Sequence, residues 1–455
     1  MTMARRASLA LRRLALCACL ALLFFAGAAD AQSRKKEVDP KTQPQQGALS
    51  KRVGEKLSEA NDLLQTDQYD AALKIIDELA GRRKLDPLEI AQIHRFRGYI
   101  LLSKGETEKV PAEFQKSLDQ HALDPLAEQQ MTYSLAQIYT QLGKHDQALA
   151  LINTWFEGEE EPRPDAYFLK ATILVQQANA LEGDAATKKW KEALPPAKAA
   201  VDKDPKPRES WVQMLVAIYS NLQDYPNVAD TLQRLISMSP QKKQYWTQLA
   251  AVQNLIEREA GALATLQLAH TAGLLTDDRE YRQLARLLFL REMPYWCAKV
   301  IDEGIKGSQV KADADAYKLM SNCLLASREM DLALEPLEKA GELAPDGEMY
   351  TLLGQMHLQR DRFQPALEAL NKALAKAKPD QRGQIDLLIG VAQLGQNNFD
   401  AAERAFNAAS ADKKVHAAAA SYLKFLNDQR QRKQMEEMLK AQAAELEGEA
   451  KSGSL

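Results

Sequence analysis

Hydrophobic positions in residues 347–380 recur at the spacing of two amphipathic helices separated by a short polar turn. Tyr350, Leu353 and His357 fall three to four residues apart, which places them on one face of a first helix. After the turn, Phe363 begins a second stretch of the same period. One such hairpin cannot bury its own apolar face, so the pattern predicts that further hairpins pack against it.

The same order of bulky, small and polar positions returns along residues 51–414. Gly354 and Ala366 are small residues at the place where two antiparallel helices must approach closely, and Gly98 and Ala136 hold such places in earlier hairpins. Counting these places predicts about ten hairpins at a period near 34 residues. The chain should therefore be an all-α array of repeats.

The fourth hairpin departs from this period. Additional residues fall within 177–189, and we expect them to lengthen the helices and the turn around Gly183. Pro195 and Pro196 follow in the second helix, where the missing amide hydrogen of proline predicts a late start or a kink.

Residues 415–455 lie beyond the last hairpin. Residues 415–426 form one more amphipathic pattern, which predicts a helix that caps the stack. The following residues are rich in Gln, Glu and Lys, and predict a solvated helix that frays at its glycines.

The N-terminal region, residues 1–31, has the order of segments that is typical of a secretory signal. Arginines come first, an apolar run follows, and Ala29-Asp30-Ala31 provides a small-x-small cleavage site. An uncleaved membrane anchor is the alternative, but the apolar run is short for a spanning helix. Residues 32–50 are polar and predict a flexible leader. We predict export to a bacterial periplasm, with no integral membrane segment once the signal is removed.

Cleavage would also change the cysteine count and the charge. Two of the four cysteines lie in the signal, which leaves Cys297 and Cys323. An oxidising compartment permits a disulfide between them. The alternative is a pair of buried small residues, which the position of Cys297 at a small-residue place in a second helix favours. The net charge of −3 becomes −6 when four arginines and one aspartate leave.

Composition and motifs argue against catalysis. Acidic residues (62) slightly outnumber basic ones (59), so no polybasic surface indicates a nucleic-acid partner. The sequence has no phosphate-binding glycine loop, no nucleophile elbow and no HExxH pattern. Its six histidines are scattered over different hairpins, without the spacing of metal ligands. We predict a protein that is not an enzyme and binds no cofactor or metal.

The repeated pattern resembles the tetratricopeptide repeat (TPR), in which a bulky-xx-Leu-Gly-xx-Tyr helix precedes an Ala-xxx-Phe-xx-Ala helix. The resemblance covers roughly residues 51–412. It implies a right-handed superhelical solenoid of helix pairs whose first helices line a groove that binds proteins or peptides.

This resemblance also implies which side chains enter the groove. At the corresponding positions the seventh and eighth hairpins carry a group of cationic and amide side chains, Arg282, Arg286, Lys318 and Asn322. Arginine forks and an asparagine amide suit the carboxylates and backbone of a bound peptide. The alternative is that they are solvated helix residues paired with acids such as Glu280 or Asp315. A second candidate strip consists of Arg95, Tyr99, Tyr133 and Gln137.

A narrower resemblance lies in the middle of the chain. Residues 209–225, 245–276 and 293–305 look like exported repeat proteins of Gram-negative bacteria that are commonly encoded beside TonB-type energy-transduction systems. This likeness implies a partner in the cell envelope, such as a TonB-type complex. The alternatives are an assembly factor for outer-membrane or exopolysaccharide machinery, or a regulatory subunit of an envelope enzyme. Sequence does not indicate the oligomeric state.

Overall fold

The structure, a computed structural model, describes residues 49–452, and their side chains as far as residue 443. The predicted signal peptide and nearly all of the predicted leader lie outside these residues. Within them the chain contains 21 α-helices, one short 3₁₀ helix (Thr107–Lys109) and no strand.

The described chain divides into two compact units, of which the first ends at Pro240. It contains five helix hairpins. Their helices are α1 (Lys51–Gln65), α2 (Tyr69–Ala80), α3 (Pro87–Ser103), α4 (Val110–Leu118), α5 (Pro125–Gln141), α6 (His145–Glu157), α7 (Pro164–Asn179), α8 (Gly183–Lys203), α9 (Glu209–Asn221) and α10 (Tyr225–Met238).

The second unit begins at Gln241 and contains five hairpins and a terminal helix. Its helices are α11 (Lys243–Leu255), α12 (Glu259–Thr271), α13 (Asp278–Leu290), α14 (Pro294–Lys306), α15 (Ala314–Ala326), α16 (Met330–Leu343), α17 (Glu348–Leu358), α18 (Phe363–Lys376), α19 (Pro379–Gly395), α20 (Phe399–Ala409) and α21 (His416–Ser452). Helices consecutive in sequence pack on each other within each unit. The predicted all-α fold of about ten helix hairpins with a terminal capping helix is confirmed.

Four of the ten first helices start at an aspartate whose side chain caps an exposed amide of the first turn. Asp86 accepts from the N–H of Glu89 at 2.8 Å, and Asp124 accepts from the N–H of Ala127 at 2.9 Å. Both aspartates precede a proline that needs no amide partner at the first helical position. The Asp-Pro pairs of the sequence therefore fix where α3 and α5 begin.

Most first helices end in the same way, with one residue in the left-handed conformation. Glu257, for example, has a φ of 59°, and the N–H of Arg258 donates back to the carbonyl of Gln253 at 2.8 Å. Few of these left-handed residues are glycines. The others are Asp67, Gln223, Glu257, Glu292, Arg328, Asp361 and Asn397. The left-handed conformation is unfavourable for a residue with a Cβ atom, so the packing of the hairpin holds these residues in it.

Glycine at these turns should therefore stabilise the protein. Glu257→Gly and Glu292→Gly are each expected to raise the free energy of unfolding by about 0.5 kcal/mol, since glycine adopts positive φ without steric cost. The control is Ala264→Gly at an exposed site inside α12, which should lower it by about 0.5–1 kcal/mol. Urea denaturation of the three variants measures both effects. Equal destabilisation at all three sites would contradict the explanation.

Small residues bring paired helices into contact, as the sequence predicts. Gly354 lies so close to α18 that an added Cβ would be 2.5 Å from Cγ of Leu370. Gly98 lies against Phe114 in the second hairpin, and Gly390 lies against Phe406 in the tenth. In these three hairpins one large side chain fills the space above a glycine at the helix interface.

Of the two outcomes predicted for the prolines of the fourth hairpin, a late start or a kink, the structure excludes the late start. Helix α8 begins at Gly183, whose φ is 61°, so the inserted residues extend the second helix toward its N-terminus. The helix does not start late, because Pro195 and Pro196 lie well inside it. The burial of Pro196 and Ala197 against the hairpin, as well as the turns on either side, compensates for the amide hydrogens that the prolines lack.

The start of α21 closes the second unit. Val415, Ala419 and Leu426 are buried in one cluster with Phe406, and the ring of Tyr422 stacks on Phe406 at 5.1 Å between centroids. From residue 431 to residue 443 every side chain is exposed. The helix thus has a packed first part and a solvated second part.

Candidate peptide-binding strips

Arg282, the central residue of the predicted cationic site, is occupied by contacts within the protein. Its Nε donates to Asp278 at 2.7 Å, and its Nη2 donates to both carboxylate oxygens of Asp313 at 3.0 Å. Its Nη2 also reaches the carbonyl of Lys311 at 3.3 Å. The side chain is only 12% exposed. Arg282 therefore joins the N-terminal ends of α13 and α15 rather than presenting a charge to solvent.

The contact with Arg282 affects the pKa of both aspartates. The hydrogen bond from Arg282 lowers the pKa of Asp278. Burial acts to raise the pKa of Asp313, but the hydrogen bonds from the N–H of Ala316 and from Arg282 outweigh it and lower that pKa. Both carboxylates are thus stabilised in the charged form that Arg282 requires.

Substitutions of Arg282 and of its neighbour Arg286 should have different effects on the free energy of unfolding. We expect Arg282→Gln to lower the free energy of unfolding by about 1–2 kcal/mol, because two carboxylates lose a charged partner. Arg286→Gln, at an exposed position of the same helix, is the control and should leave stability unchanged. Urea denaturation at neutral pH distinguishes them.

The same contact gives a pH dependence. The folded-state pKa values of Asp278 and Asp313 lie below the ordinary 3.8, so their contribution is complete above that pH and is lost as the pH falls through the lower values. Arg282→Gln should therefore reduce the loss of stability below pH 4. An unchanged acid profile would show that the contact contributes little.

Lys318 also has a partner within the unit. Its Nζ lies 2.9 Å from Glu348 at the start of α17. Lys243 likewise pairs with Glu280 of α13 at 2.9 Å. A cation on one first helix thus meets an acid near the start of the next first helix. Neither Glu280 nor Asp315, the partners considered from sequence, pairs with Arg282 or Lys318 among the described contacts.

Arg286 and Asn322 are the two predicted residues that remain accessible. Both are exposed, and no ion pair or side-chain hydrogen bond involves either of them within residues 49–443. Phe289, one turn beyond Arg286, is 40% exposed. The structure leaves these side chains available on α13 and α15, while Arg282 and Lys318 hold successive hairpins together.

The second strip, in the first unit, is built differently. We call Arg95, Tyr99, Tyr133, Gln137 and Arg163 the aromatic strip. The guanidinium of Arg95 lies 5.7 Å from the ring centroid of Tyr99, and that of Arg163 lies 5.9 Å from the ring centroid of Tyr133. In the described part of the chain neither arginine makes an ion pair. Gln137 is exposed.

Tyr133 is a partly buried ring of the aromatic strip. Its ring is 5.2 Å from that of Trp155, and burial, with a further contribution from the nearby charge of Asp165, raises its pKa to about 12. The phenol therefore stays protonated at physiological pH and can donate a hydrogen bond. Asp165 is itself paired with Arg208 at 3.2 Å.

Arg208 extends the aromatic strip toward α9. Its guanidinium lies 5.2 Å from the ring of Trp211, which stacks on Phe168 at 5.3 Å between centroids. Arg163 and Arg208 are the residues that immediately precede α7 and α9. The groove positions read from the repeat do not include such residues, so sequence reasoning missed both. Their shared signal is an arginine directly before a first helix.

Cys297 and Cys323 form a disulfide in the structure. Their Cα atoms are 5.9 Å apart, and the bond connects α14 of the seventh hairpin to α15 of the eighth. Both side chains are also fully buried. The two alternatives considered from sequence therefore coexist, because the cysteines fill small-residue places and are bonded to each other.

Among residues 49–443 no group of three or more His, Cys, Asp or Glu side chains is arranged to hold a metal ion. None of the helices in the described chain combines the length and the apolar character needed to cross a membrane.

One family model supports the repeat assignment over part of the chain. The family description that matches the chain is the tetratricopeptide repeat, over residues 57–125, which covers most of the first two hairpins. No curated protein matches the sequence. The solved structures that resemble the chain share little sequence with it. Three of them are described below by their identity, coverage and TM-score.

YrrB, described as a TPR protein with an unusual peptide-binding site, is 17% identical, with 43% of this chain and 99% of YrrB covered and a TM-score of 0.34. The TPR2AB domain of yeast Sti1, in complex with pHSP90, is 17% identical. The match covers 59% of this chain and 99% of the Sti1 chain, with a TM-score of 0.32. Yeast Tom70 is 12% identical. The match covers 84% of this chain and 96% of Tom70, with a TM-score of 0.28.

Proposed function

We propose that this TPR-type chain is a non-catalytic protein–protein interaction scaffold whose aromatic strip binds an extended acidic segment of a partner protein. One observation carries the choice of site. Arg95 and Arg163 lie over tyrosine rings and make no ion pair within the described chain. Of the two arginines predicted from the sequence, Arg282 is instead fully engaged with Asp278 and Asp313.

The chemistry of the strip matches that of an acidic peptide in an extended conformation. Guanidinium groups form two parallel hydrogen bonds with a carboxylate, and a ring beneath them limits how far they move. The amide of Gln137 offers a donor and an acceptor to a peptide backbone, and the protonated phenol of Tyr133 adds a donor. Tyrosine also supplies rigid apolar area at low entropic cost.

Arg286 and Asn322 offer a second contact surface in the other unit. They retain the exposure that such a role requires, whereas Arg282 and Lys318 contribute by holding hairpins in place. A partner that used this surface would meet one arginine and one amide instead of the four polar groups expected from sequence.

We further propose that the protein acts in the periplasm as an accessory of a TonB-dependent transport system. The order of basic, apolar and small residues in residues 1–31 supports export. The resemblance of residues 209–225, 245–276 and 293–305 to exported repeat proteins supports the TonB association. An acidic envelope segment would be the ligand of the aromatic strip.

Cross-linking in cells tests the site directly. A photo-reactive amino acid at Gln137 should capture a partner, which mass spectrometry then identifies. The control is the same amino acid at Gln147, an exposed position on α6, the second helix of the same hairpin. Capture at both positions alike, or at Gln147 alone, would contradict the assignment of the strip.

Charge reversal provides the complementary measurement. Arg95→Glu combined with Arg163→Glu should reduce capture at Gln137 by about tenfold or more, as expected when charge-assisted hydrogen bonds become repulsions. Arg52→Glu combined with Arg83→Glu, at two exposed positions outside the strip, is the charge-matched control. Circular dichroism should show the same helical content in all variants. Retained capture in the double variant would refute the role of the arginines.

A further inference from the structure

The turn of the seventh hairpin exposes two aromatic rings and a leucine beside an arginine. Leu290 ends α13 and is 67% exposed, and Tyr295 and Trp296, in the first turn of α14, are each 49% exposed. The centroids of these two rings lie 5.9 Å apart, and the ammonium of Lys299 lies 4.9 Å from the centroid of the Trp296 ring. We call Leu290, Arg291, Tyr295 and Trp296 the turn patch.

Other hairpins have polar residues at the places of the turn patch. Where the seventh hairpin has Leu290, four first helices end at polar residues, namely Gln65, Ser103, Gln141 and Asn221. Where it has Tyr295, the second residue of α14, five second helices have an aspartate, namely Asp70, Asp146, Asp184, Asp331 and Asp400. Single exposed apolar residues need no explanation, but a cluster of large ones in place of a repeated polar pattern does.

Two other cations that follow a first helix pair with such an aspartate. Lys104, directly after α3, lies 2.6 Å from Asp70 of the preceding hairpin. Arg360, just after α17, lies 2.6 Å from Asp331 of the preceding hairpin. In each case the cation and the carboxylate neutralise each other between two successive turns.

Arg291 occupies the corresponding place after α13 but lacks this partner. The second residue of the preceding second helix, α12, is Ala260. In the part of the chain that the structure describes, Arg291 is exposed and forms no ion pair, not even with Glu259 or Glu292. The turn patch therefore presents a guanidinium whose carboxylate the preceding hairpin does not supply.

We propose that the turn patch binds a segment of a partner protein that has large apolar side chains and a carboxylate. Tyr295 and Trp296 would cover the apolar side chains, since Trp, Tyr and Arg carry much of the binding energy at protein interfaces. The carboxylate would pair with Arg291 as an aspartate of the preceding hairpin pairs with Lys104.

A protein segment suits this surface better than a lipid surface does. Glu257, Glu259 and Glu292 are exposed in the turns of the sixth and seventh hairpins, and anionic headgroups would repel them. A segment with one carboxylate needs only Arg291. The turn patch shares no residue with the aromatic strip, so this interaction goes beyond the peptide binding proposed above.

Selection of displayed peptides tests the proposal. A phage library of random peptides is panned on the full chain with Arg95→Glu and Arg163→Glu, which removes the charge of the aromatic strip. The enriched peptides should combine large apolar side chains with Asp or Glu, and Trp296→Ala should weaken their binding by about tenfold or more.

The control for Trp296→Ala is Leu343→Ala, at an exposed apolar residue of α16, which should leave the binding of the selected peptides unchanged. Circular dichroism verifies that every variant keeps its helical content. No enrichment of peptides with this composition, or binding that Trp296→Ala leaves intact, would overturn the proposal.

Charge reversal tests the role of Arg291. With Arg291→Glu the same library should yield peptides that carry Lys or Arg in place of the acid. Arg404→Glu, at an exposed arginine of α20, is the control and should still select acidic peptides. Selection of acidic peptides by the Arg291→Glu chain would show that the arginine does not bind the carboxylate.

Two further measurements distinguish a protein segment from other occupants of the turn patch. Sedimentation equilibrium should show no dimer that Trp296→Ala dissociates, and vesicles of anionic phospholipid should not bind the chain through Trp296. A dimer that depends on Trp296 would place a second copy of the chain on the patch, and flotation with the vesicles that depends on Trp296 would place a lipid surface there. Either result would overturn the proposal.

Discussion

Replacing Cys297 and Cys323 together by alanine is expected to lower the free energy of unfolding by about 3–4 kcal/mol. The disulfide closes a loop of sequence separation 26 between α14 and α15, and most of its effect comes from restricting the unfolded chain. Both sulfur atoms are buried, so alanine at these places adds only a small packing loss.

Urea denaturation with and without a reductant gives the measurement. The wild type should lose about as much stability in the reductant as the double variant loses by substitution, while the variant itself should not respond to the reductant. Hydrogen exchange should locate the loss in α14 and α15. A difference below about 1 kcal/mol in the free energy of unfolding between the wild type and the double variant would contradict this explanation. It would show that residual structure already keeps the two cysteines close without the bond.

Adding one methyl group at Gly98 is expected to destabilise the second hairpin by about 2–3 kcal/mol. A Cβ atom there would lie 2.3 Å from Phe114 Cε1, and Phe114 is fully buried without room to move. The matched control is Gly54→Ala in α1, where no atom lies within 4 Å of the added methyl.

The control should change stability in the opposite direction. Alanine favours helix over glycine, so Gly54→Ala should raise the free energy of unfolding by about 0.5–1 kcal/mol. Thermal denaturation of both variants provides the comparison. Similar melting temperatures for the two variants would mean that the glycine at the hairpin interface is there for another reason.

Periodicity sufficed to predict the repeats because the close approach of two helices restricts residue size at one place in each hairpin. Gly98, Gly354 and Gly390 mark that place locally, and no knowledge of distant contacts is needed to find it. The start of α8 was harder. Pro195 and Pro196 predict a helix boundary from local rules, and the packing of the hairpin overrides these rules.

Partners of the charged residues could not be predicted in the same way. Arg282 meets Asp313, which lies 31 residues away, and the sequence alone does not distinguish this acid from Asp315. Only part of the aromatic strip could be predicted from the sequence, for a related reason. Tyr99 and Tyr133 occupy repeat positions, whereas Arg163 comes from the connection before α7, where the repeat pattern imposes no residue type.

The disulfide also sets a limit on how far the chain can be stretched. A segment of 26 residues spans at most about 90 Å when fully extended, at 3.3–3.6 Å per residue. With the cysteines joined, a pulling force applied at the two ends bypasses this segment. Unfolding under force would then release a contour length that is shorter by this segment, and a reductant would restore the missing extension.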